Sequence, residues 1–190
     1  FLGPGLRRMR PVERLEGALD RAAARSAGTI VTNSELAGQD LVSHYGVDPG
    51  RLRLVRNGVD LDRFAPAVRR ESLAPGPAVV LVGHGWRRKG VSVALRVLQR
   101  LPRIHLFVVG EERRPRRFLR EADLLGVRDR LHVLGSVASI EDLLPSFDAL
   151  LLPTRYDPSA NACLEALACG VPVVTTNSNG ASEVLPDPSW

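Results

Sequence analysis

The sequence predicts an α/β protein in which a parallel sheet carries helices on both faces. From Ala78 onward, short apolar runs alternate with segments of helical periodicity, which is the pattern of repeated β-α units. Apolar runs in such an alternation are expected for strands that are buried on both faces of a sheet. The residues that could carry chemistry follow the ends of these runs, and parallel sheets bind ligands at the carboxyl ends of their strands.

The elements before residue 65 are predicted from local signals. Ser34 is a good N-cap and Gly46 a good helix stop, so the two bound one helix. In order, the predicted elements are a helix over 11–25, a strand over 29–32, a helix from Ser34 to Tyr45 and a strand over 52–55. Residues 65–77 show no periodicity and contain three prolines, which is the composition of a linker.

The elements after residue 77 follow from the same alternation. Strands are predicted over 78–82, 104–109, 131–134, 149–152 and 173–176. Helices are predicted near 91–101 and 116–125, after Ser139, and around Glu165. Ser139 and Asp142 form a Ser-x-x-Asp pattern, which predicts a capped helix start.

Composition and charge limit the classes of function. The chain has 190 residues, of which 44% are hydrophobic and 25% charged, as in a globular protein. Its net charge of +5 favours anionic partners, namely nucleic acid, a membrane surface or phosphate-bearing substrates. Most arginines lie in predicted helices, where a solvated helix face is the simpler interpretation, and Lys89 is the only lysine. No apolar run approaches the roughly 20 residues that a membrane-spanning helix needs.

The two cysteines are predicted to be core residues. At about 100° per residue, Cys163 and Cys169 point to different sides of one helix, so they cannot easily form a disulfide. Their spacing is not that of metal ligands either, and buried free cysteines suit a reducing cytoplasm.

The strongest candidate site lies between Tyr156 and Thr176. Asp157 stands in a loop, and Glu165 follows after seven intervening residues, about two turns into a helix of small and apolar residues that Gly170 ends. The start of a helix that follows a strand offers free N–H groups and a positive dipole, which suit a phosphate. The side chain of one acid can reach past the bound phosphate, and that of the other can reach back along the side of the phosphate. A nucleotide sugar has this layout, with a sugar at one end of its pyrophosphate and a ribose diol at the other.

A second candidate stretch runs from Val82 to Gly90 and joins a strand to the following helix. Its glycines allow close backbone approach to a ligand, and Arg87, Arg88 and Lys89 supply positive charge at the same sheet edge. A solvated basic loop is the alternative interpretation. The sequence does not contain a dinucleotide-binding fingerprint, because no Gly-x-Gly-x-x-Gly follows a predicted strand.

These two stretches carry a resemblance to a known family. DPSANACLEALACGVPVVTT resembles the acid-x7-acid signature of the retaining, GT-B-fold glycosyltransferases of family 4, also called glycosyl transferases group 1. Within that family, NACLEALACG is most similar to the lipopolysaccharide-core glucosyltransferase type. Lys89-Gly90 matches the family's Lys-Gly. The chain departs from the family pattern at two positions. Many relatives carry Glu in place of Asp157, and many carry Arg in place of His84. Arg88 or Arg87 would then supply the positive charge of that missing arginine.

The resemblance implies a reaction and roles for named residues. A sugar passes from a nucleoside-diphosphate sugar, with UDP the expected nucleotide, to an acceptor hydroxyl with retention at the anomeric carbon. Glu165 would grip the ribose diol, Asp157 the hydroxyls of the transferred sugar, and Lys89 and Arg88 the leaving phosphate. The donor-binding residues are then Gly83, Arg88, Lys89, Asn161, Ala162, Cys163 and Glu165. The scheme requires no metal and no cofactor besides the donor substrate.

The resemblance also implies domains, partners and a location. Residues 1–64 would be the C-terminal part of an N-terminal acceptor domain, residues 65–77 a linker, and residues 78–190 a truncated donor-binding domain, so that this chain alone is expected to be inactive. The expected acceptor is a glycan or lipid-linked glycan of the cell envelope, such as lipopolysaccharide. The expected location is the cytoplasm, with peripheral association at the inner face of the membrane and no nucleic-acid partner.

Two alternatives of different function share the predicted fold. One is a nucleotide-sugar epimerase, and the other is a non-catalytic nucleotide-sugar-binding domain that serves as a scaffold.

Residues 135–137 resemble the family's base-binding segment, although a plain turn explains them as well. Residues 179–183 resemble its sugar-facing loop, although a turn and a helix start explain them equally. His44, His105 and His132 are expected to be surface or hydrogen-bonded histidines.

Overall fold

The computed structural model describes residues 11–67 and 73–185, and within the first helix it describes side chains from residue 17 onward. The chain divides into two compact units, Phe1–Asn57 and Gly58–Trp190. The division predicted from sequence into residues 1–64, 65–77 and 78–190 stays a prediction. Part of its linker, residues 68–72, and its last five residues, 186–190, lie outside the described residues.

The first unit combines helices with a two-stranded parallel sheet. Its elements are α1 (Pro11–Ser26), β1 (Ile30–Thr32), α2 (Glu35–Asp40), a π-helical turn (Leu41–Tyr45), a 3-10 turn (Pro49–Arg51) and β2 (Leu52–Leu54). Ser34 caps α2 as predicted, since its hydroxyl accepts the N–H of Ala37 at 3.1 Å. Gly46 ends the helical segment in the left-handed conformation, with φ of +67°.

The second unit is built on a five-stranded parallel sheet in the order β5-β4-β3-β6-β7. The strands are β3 (Ala78–Val82), β4 (His105–Val109), β5 (Leu131–Gly135), β6 (Ala149–Leu152) and β7 (Val173–Thr175). The first four residues of β3 are all buried, so the centre of the sheet is covered on both faces, as the apolar runs predict. The chain order reverses between β3 and β6, and such a switch point opens a crevice at the carboxyl ends of the strands.

Short helices connect these strands. They are α3 (Trp86–Lys89), α4 (Val91–Arg100), α5 (Pro115–Leu124), α6 (Ile140–Leu143) and α7 (Asn161–Ala168), with 3-10 turns at Arg128–Arg130, Leu144–Ser146 and Gly180–Val184. The core beneath them includes Trp86 and Phe118, whose rings meet edge to face at a centroid distance of 5.6 Å. In the part of the chain that the structure describes, no helix is both long enough and apolar enough to cross a bilayer.

The structure differs from the predicted elements in two places. The sequence predicts a loop before α4, but residues 86–89 form the extra helical turn α3 because the buried Trp86 holds it against the core. Ser139 lies at the N-cap of α6 as predicted, yet its side chain makes no capping hydrogen bond. The capping contact predicted for the Ser139 side chain is therefore wrong, although the helix begins where it was placed.

Candidate active site

The loop after β3 brings basic side chains to the carboxyl edge of the sheet. The backbone turns at Gly83, whose φ of +142° favours glycine, and then enters α3. A Cβ at Gly83 would lie 2.5 Å from the Cε of Lys89, so the missing side chain makes room for the lysine stem. Trp86 anchors α3, since it is 1% exposed and its indole N–H donates to the carbonyl of Gly110 at 3.3 Å. Lys89 is thereby held, 7% exposed, beside the end of β3.

Asp157 accepts hydrogen bonds from both basic side chains. The Nζ of Lys89 donates to its Oδ2 at 2.9 Å, and the Nη1 of Arg88 donates to the same oxygen. Asp157 is 6% exposed, whereas the side chain of Arg88 is 51% exposed. The Asp157 backbone is also fixed, because its N–H donates to the carbonyl of Ser178 and its carbonyl accepts the N–H of Gly180. One buried carboxylate is thus paired with one buried and one solvent-facing cation.

The charges of this cluster leave it positive overall. Burial by itself raises the pKa of Asp157, but the hydrogen bonds and charges of Lys89 and Arg88 outweigh burial and bring the pKa below its usual range. Asp157 therefore stays ionised, and its single negative charge faces two positive ones. The cluster can stabilise a further anion, such as a phosphate, at the carboxyl edge of the sheet.

The loop after β6 is tied to α3 through the backbone. Thr154 is 2% exposed and donates its hydroxyl proton to the carbonyl of Arg88 at 2.8 Å, and the N–H of Arg155 donates to the same carbonyl at 2.9 Å. Gly90 lies against the carbonyl of Pro153, where a Cβ would clash. Because β3 and β6 are neighbours in the sheet, these contacts assemble the cluster at the switch point.

Glu165 lies on α7 and is half-buried. It is the fifth residue of that helix, so it lies little more than one turn from the helix start, not the two turns expected from sequence. Burial raises the pKa of Glu165, and Glu141 adds to this rise, while the positive charges of Arg63 and Lys89 oppose it without cancelling it. The two acids of the sequence pattern therefore have pKa values shifted in opposite directions.

Arg63 and Glu141 form a pair that the sequence interpretation missed. The Nε of Arg63 donates to one carboxylate oxygen of Glu141 at 2.8 Å, and its Nη2 donates to the other at 3.0 Å. Asp60 orients Arg63, since its Oδ1 accepts the N–H groups of Asp62 and Arg63. The next residue, Phe64, is 5% exposed in the core of the second unit. Arg63 and Glu141 are 78 positions apart, so no local spacing links them.

Asn179 fixes the start of α7. It is fully buried, and its Oδ1 accepts the N–H groups of Ala160 and Ala181, both at 3.1 Å. Its Nδ2 donates to the hydroxyl of Thr175 at 3.0 Å and to the Sγ of Cys163 at 3.3 Å. Residue 179 is thus the N-cap of a 3-10 turn, as the simpler interpretation expects, and a sugar-facing role for this loop stays a prediction.

One of the backbone amides predicted to bind phosphate already donates a hydrogen bond within the protein. The N–H of Cys163 donates to the carbonyl of Ala160 at 3.0 Å and so already has an acceptor. The roles predicted for Asn161, Ala162 and Gly83 toward the donor stay predictions. Both cysteines are buried and free, as expected, and burial raises the pKa of the Cys163 thiol to about 11.

The remaining sequence candidates lie beside the cluster or away from it. The Nδ1 of His84 accepts the N–H of Glu111 at 3.0 Å, so His84 orders the neighbouring loop, and the hydroxyl of Ser136 donates to the same glutamate at 3.1 Å. His105 and His132 pair through their ring nitrogens at 3.1 Å, as expected for hydrogen-bonded histidines. Among the described residues, no group of three or more His, Cys, Asp or Glu side chains could hold a metal ion.

A parallel sheet whose switch point carries a cationic cluster defines an α/β domain with a ligand crevice at the carboxyl ends of its strands. The family described as "Glycosyl transferases group 1" matches residues 76–188, and "Glycosyltransferase Family 4" matches residues 3–63. The chain therefore belongs to the group 1, family 4 glycosyltransferases, which confirms the resemblance seen in the sequence. Its fold is that of GT-B glycosyltransferase structures.

Several known proteins are similar over most of the chain. Glycogen synthase of Mycobacterium tuberculosis H37Rv is 31% identical over 182 residues, which cover 88% of this chain and 42% of that protein. Lipopolysaccharide glucosyltransferase WaaG of Escherichia coli K12 is 28% identical over 173 residues, which cover 83% of this chain and 46% of that protein. The chain spans less than half the length of these curated relatives.

Solved structures agree in fold. A crystal structure of WaaG, a glycosyltransferase involved in lipopolysaccharide biosynthesis, superposes with a TM-score of 0.80 at 25% identity and covers 93% of this chain and 52% of that one. Anabaena Alr3699/HepE in complex with UDP-glucose superposes with a TM-score of 0.79 at 19% identity, over 92% of this chain and 52% of that one. The second likeness concerns the fold alone.

Proposed function

We propose that this chain is the donor-binding part of a retaining glycosyltransferase that uses a UDP-sugar. The observation that carries the proposal is the convergence of Arg88 and Lys89 on Asp157 at the switch point of the sheet. The HepE structure of the same fold holds UDP-glucose, which supports a nucleotide sugar as the ligand. Family membership supports sugar transfer as the reaction.

The two cations are suited to the charge that develops during transfer. As the bond between the sugar and the phosphate breaks, negative charge grows on the leaving phosphate, and fixed cations at that point lower the barrier. Arg88 is half exposed and can turn to the phosphate, whereas Lys89 is buried and acts from its fixed position. When the phosphate takes over part of the pairing, Asp157 becomes free to accept hydrogen bonds from hydroxyls of the transferred sugar.

Glu165 supplies the second acidic contact. An ionised carboxylate can accept from both hydroxyls of a ribose at once. Its position on α7, beyond the loop of Asp157, suits the nucleoside end of the donor. Both members of the Arg63–Glu141 pair act on the charge of Glu165. Arg63 favours the ionised form that this contact needs, and Glu141 opposes it.

The acceptor and the location follow from the relatives and are part of the proposal. WaaG acts in lipopolysaccharide biosynthesis, which supports an envelope glycan or lipid-linked glycan as the acceptor. We place the reaction in the cytoplasm at the inner face of the membrane. Donor binding by this chain is the part that can be tested directly.

Calorimetry with UDP-glucose, GDP-mannose and UDP tests the donor site. We expect UDP-glucose and UDP to bind, and Arg88→Gln and Lys89→Met each to weaken binding by about 1–3 kcal/mol, as for a lost hydrogen bond to a charged group. Arg88→Gln alters a half-exposed side chain and leaves the buried Lys89–Asp157 pair in place, and thermal unfolding of the same sample shows whether the fold is unchanged. Arg96→Gln, which removes one positive charge from the exposed surface of α4, is the matched control.

Three results would contradict the proposal. A folded chain that binds none of the three compounds would favour a scaffold role. Equal binding by the parent, Arg88→Gln and Lys89→Met would move the donor away from the cluster. A change in the configuration of the donor sugar without any acceptor would indicate an epimerase.

A further inference from the structure

The outer face of α5 carries three arginines and an exposed leucine. Arg116, Arg117 and Arg120 are exposed, and Leu124 is 88% exposed, the highest value among the large hydrophobic residues described. At 3.6 residues per turn, these four side chains fall within an arc of about 100°, on the side of the helix away from the buried Phe118. We call these four residues the arginine face.

The charges of α5 run against its helix dipole. Arg114 occupies the N-cap without a capping side-chain bond, and Arg116 and Arg117 lie in the first turn, where free amides already concentrate positive charge. Glu121 and Asp123 lie toward the other end, where the dipole is negative. Natural sequences violate local rules of this kind mainly where a surface has a function. The arrangement suits an anion that approaches from outside.

The arginine face has no carboxylate partner among the residues that the structure describes. No ion pair between described residues involves Arg116, Arg117 or Arg120. Arg117 also contacts the ring of its neighbour Phe118, with the guanidinium carbon 5.8 Å from the ring centroid. All three guanidinium groups are therefore available to an external anion.

The shape and composition of this face favour a lipid surface over other anions. An exposed helix face presents its charges side by side and does not enclose a small phosphate. Single-stranded nucleic acid is bound through exposed aromatic rings that stack on its bases. The aromatic residue of α5, Phe118, and the ring that packs on it, Trp86, are both buried. A bilayer with anionic headgroups fits both the basic side chains and the exposed Leu124.

We propose that the arginine face is a peripheral docking surface for a bilayer that contains anionic lipids. The guanidinium groups pair with lipid phosphates, and Leu124 enters the headgroup region. The surface does not depend on the chemistry of the donor site. It nevertheless lies next to that site, because Glu112, just before α5, accepts the backbone N–H of Trp86 in α3 at 2.9 Å.

Sedimentation with lipid vesicles tests this surface. The chain is mixed with vesicles of phosphatidylcholine alone or of phosphatidylcholine mixed equally with phosphatidylglycerol. We expect binding to the anionic vesicles only, weakening as salt is added. Arg116→Gln, Arg117→Gln and Arg120→Gln combined are expected to lower the affinity roughly 100-fold, from the usual contribution of a basic residue near an anionic bilayer. Leu124→Ser is expected to reduce the binding that remains at high salt.

A second triple variant separates a local surface from net charge. Arg96→Gln, Arg100→Gln and Arg103→Gln combined remove three positive charges from exposed positions in and just after α4. Retention of parental vesicle affinity by this control supports the proposal. An equal loss in both triple variants, binding of the parent to neutral vesicles or to none, or an unchanged α5 variant would each overturn it. UDP-glucose binding in the same samples is expected to survive the α5 changes, which keeps failure of this surface distinct from failure of the donor site.

Discussion

At the level of single residues, the site depends on the opposite environments of two acids. Asp157 is buried between two cations and its pKa is lowered, whereas Glu165 is half-buried with weaker compensation and its pKa is raised. Opposite pKa shifts in the two carboxylates indicate different roles. Asp157 keeps the cations in place, whereas the role that we propose for Glu165 is to bind the ribose of the donor.

Replacement of Asp157 by Asn is expected to destabilise the protein. The change leaves the side chain of Lys89, 9% exposed, without its buried counter-charge, and broken buried pairs cost about 3 kcal/mol. Urea unfolding at neutral pH measures the loss, with Asp123→Asn on the exposed surface of α5 as the control. Equal unfolding midpoints for parent and Asp157→Asn would show that the cluster contributes nothing to stability.

The comparison of the parent with Asp157→Asn also predicts how the free energy of unfolding depends on pH. Because the folded pKa of Asp157 lies below that of the unfolded chain, the stabilisation is fully present above the unfolded value of about 4 and is lost as the pH falls through the folded value. The difference in unfolding free energy between parent and Asp157→Asn should therefore be constant at neutral pH and shrink in acid. A difference that grows in acid would contradict the assigned direction.

Glu165→Gln is expected to separate stability from binding. Because the folded pKa of Glu165 is raised, its favourable contribution is complete only below the unfolded value of about 4.3 and is lost as the pH rises through the folded value. At pH 7 the substitution should thus raise the free energy of unfolding, by up to about 1 kcal/mol, while it weakens UDP binding. Thermal unfolding and calorimetry on the same sample measure both, and a variant that is less stable would refute the first part.

The sequence predicts the acids and the cations of the site because local spacing encodes them. The loop glycines, Lys89 and Asp157 each lie in the segment that follows a predicted strand, and parallel strands bring these ends to one edge. Glu165 follows on the next helix. Arg63 could not be found this way, and for Asn179 the sequence indicates a turn but not its buried contacts. Arg63 acts through a partner 78 positions away, and Asn179 through buried contacts to three other segments.

At the level of elements, a backbone contact joins the two loops of the site. Gly90, between α3 and α4, has φ of +84° and lies against the carbonyl of Pro153 at the end of β6. The sequence shows a glycine after a lysine, but it does not show which distant carbonyl needs that space. It likewise predicts α4 and α5 well from their periodicity and misses α3, which is only one turn long and depends on the packing of Trp86.

Gly90→Ala is expected to unfold the site region. A Cβ at this position clashes with backbone that cannot rotate away, so we expect a loss on the order of 3 kcal/mol or more. Gly126→Ala is the matched control, since its φ is also positive, at +66°, but a Cβ there meets open space. The control should cost only about 1–2 kcal/mol from its backbone conformation. Similar losses in urea unfolding for both variants would show that the Pro153 contact is unimportant.

At the level of the whole molecule, the second compact unit starts at Gly58, whereas the domain end predicted at residue 64 stays a prediction. The resemblance to the family places a domain end at residue 64, and the prolines that follow agree with a linker there. In the structure, Phe64 is 5% exposed and belongs to the core of the second unit, which starts at Gly58. Linker composition identifies where regular structure is absent, but it does not show to which core a preceding aromatic residue belongs.

Two fragments test where this unit begins. We expect residues 58–190 to fold alone and to bind UDP like the full chain. Residues 65–190 lack Phe64 and the Arg63–Glu141 pair, and loss of a buried phenylalanine costs about 3–5 kcal/mol. Circular dichroism and urea unfolding compare the two, and equal stability would place the start of the unit after Phe64.

The burial of Lys89 has a consequence for covalent labelling. Since the chain contains no other lysine, a reagent that acylates amines can modify only the α-amino group and one side chain that is 9% exposed and already bonded to Asp157. The rate at which this side chain reacts measures how often the cluster opens to solvent. A nucleotide bound over it would slow the reaction, so the protein contains its own chemical reporter of occupancy.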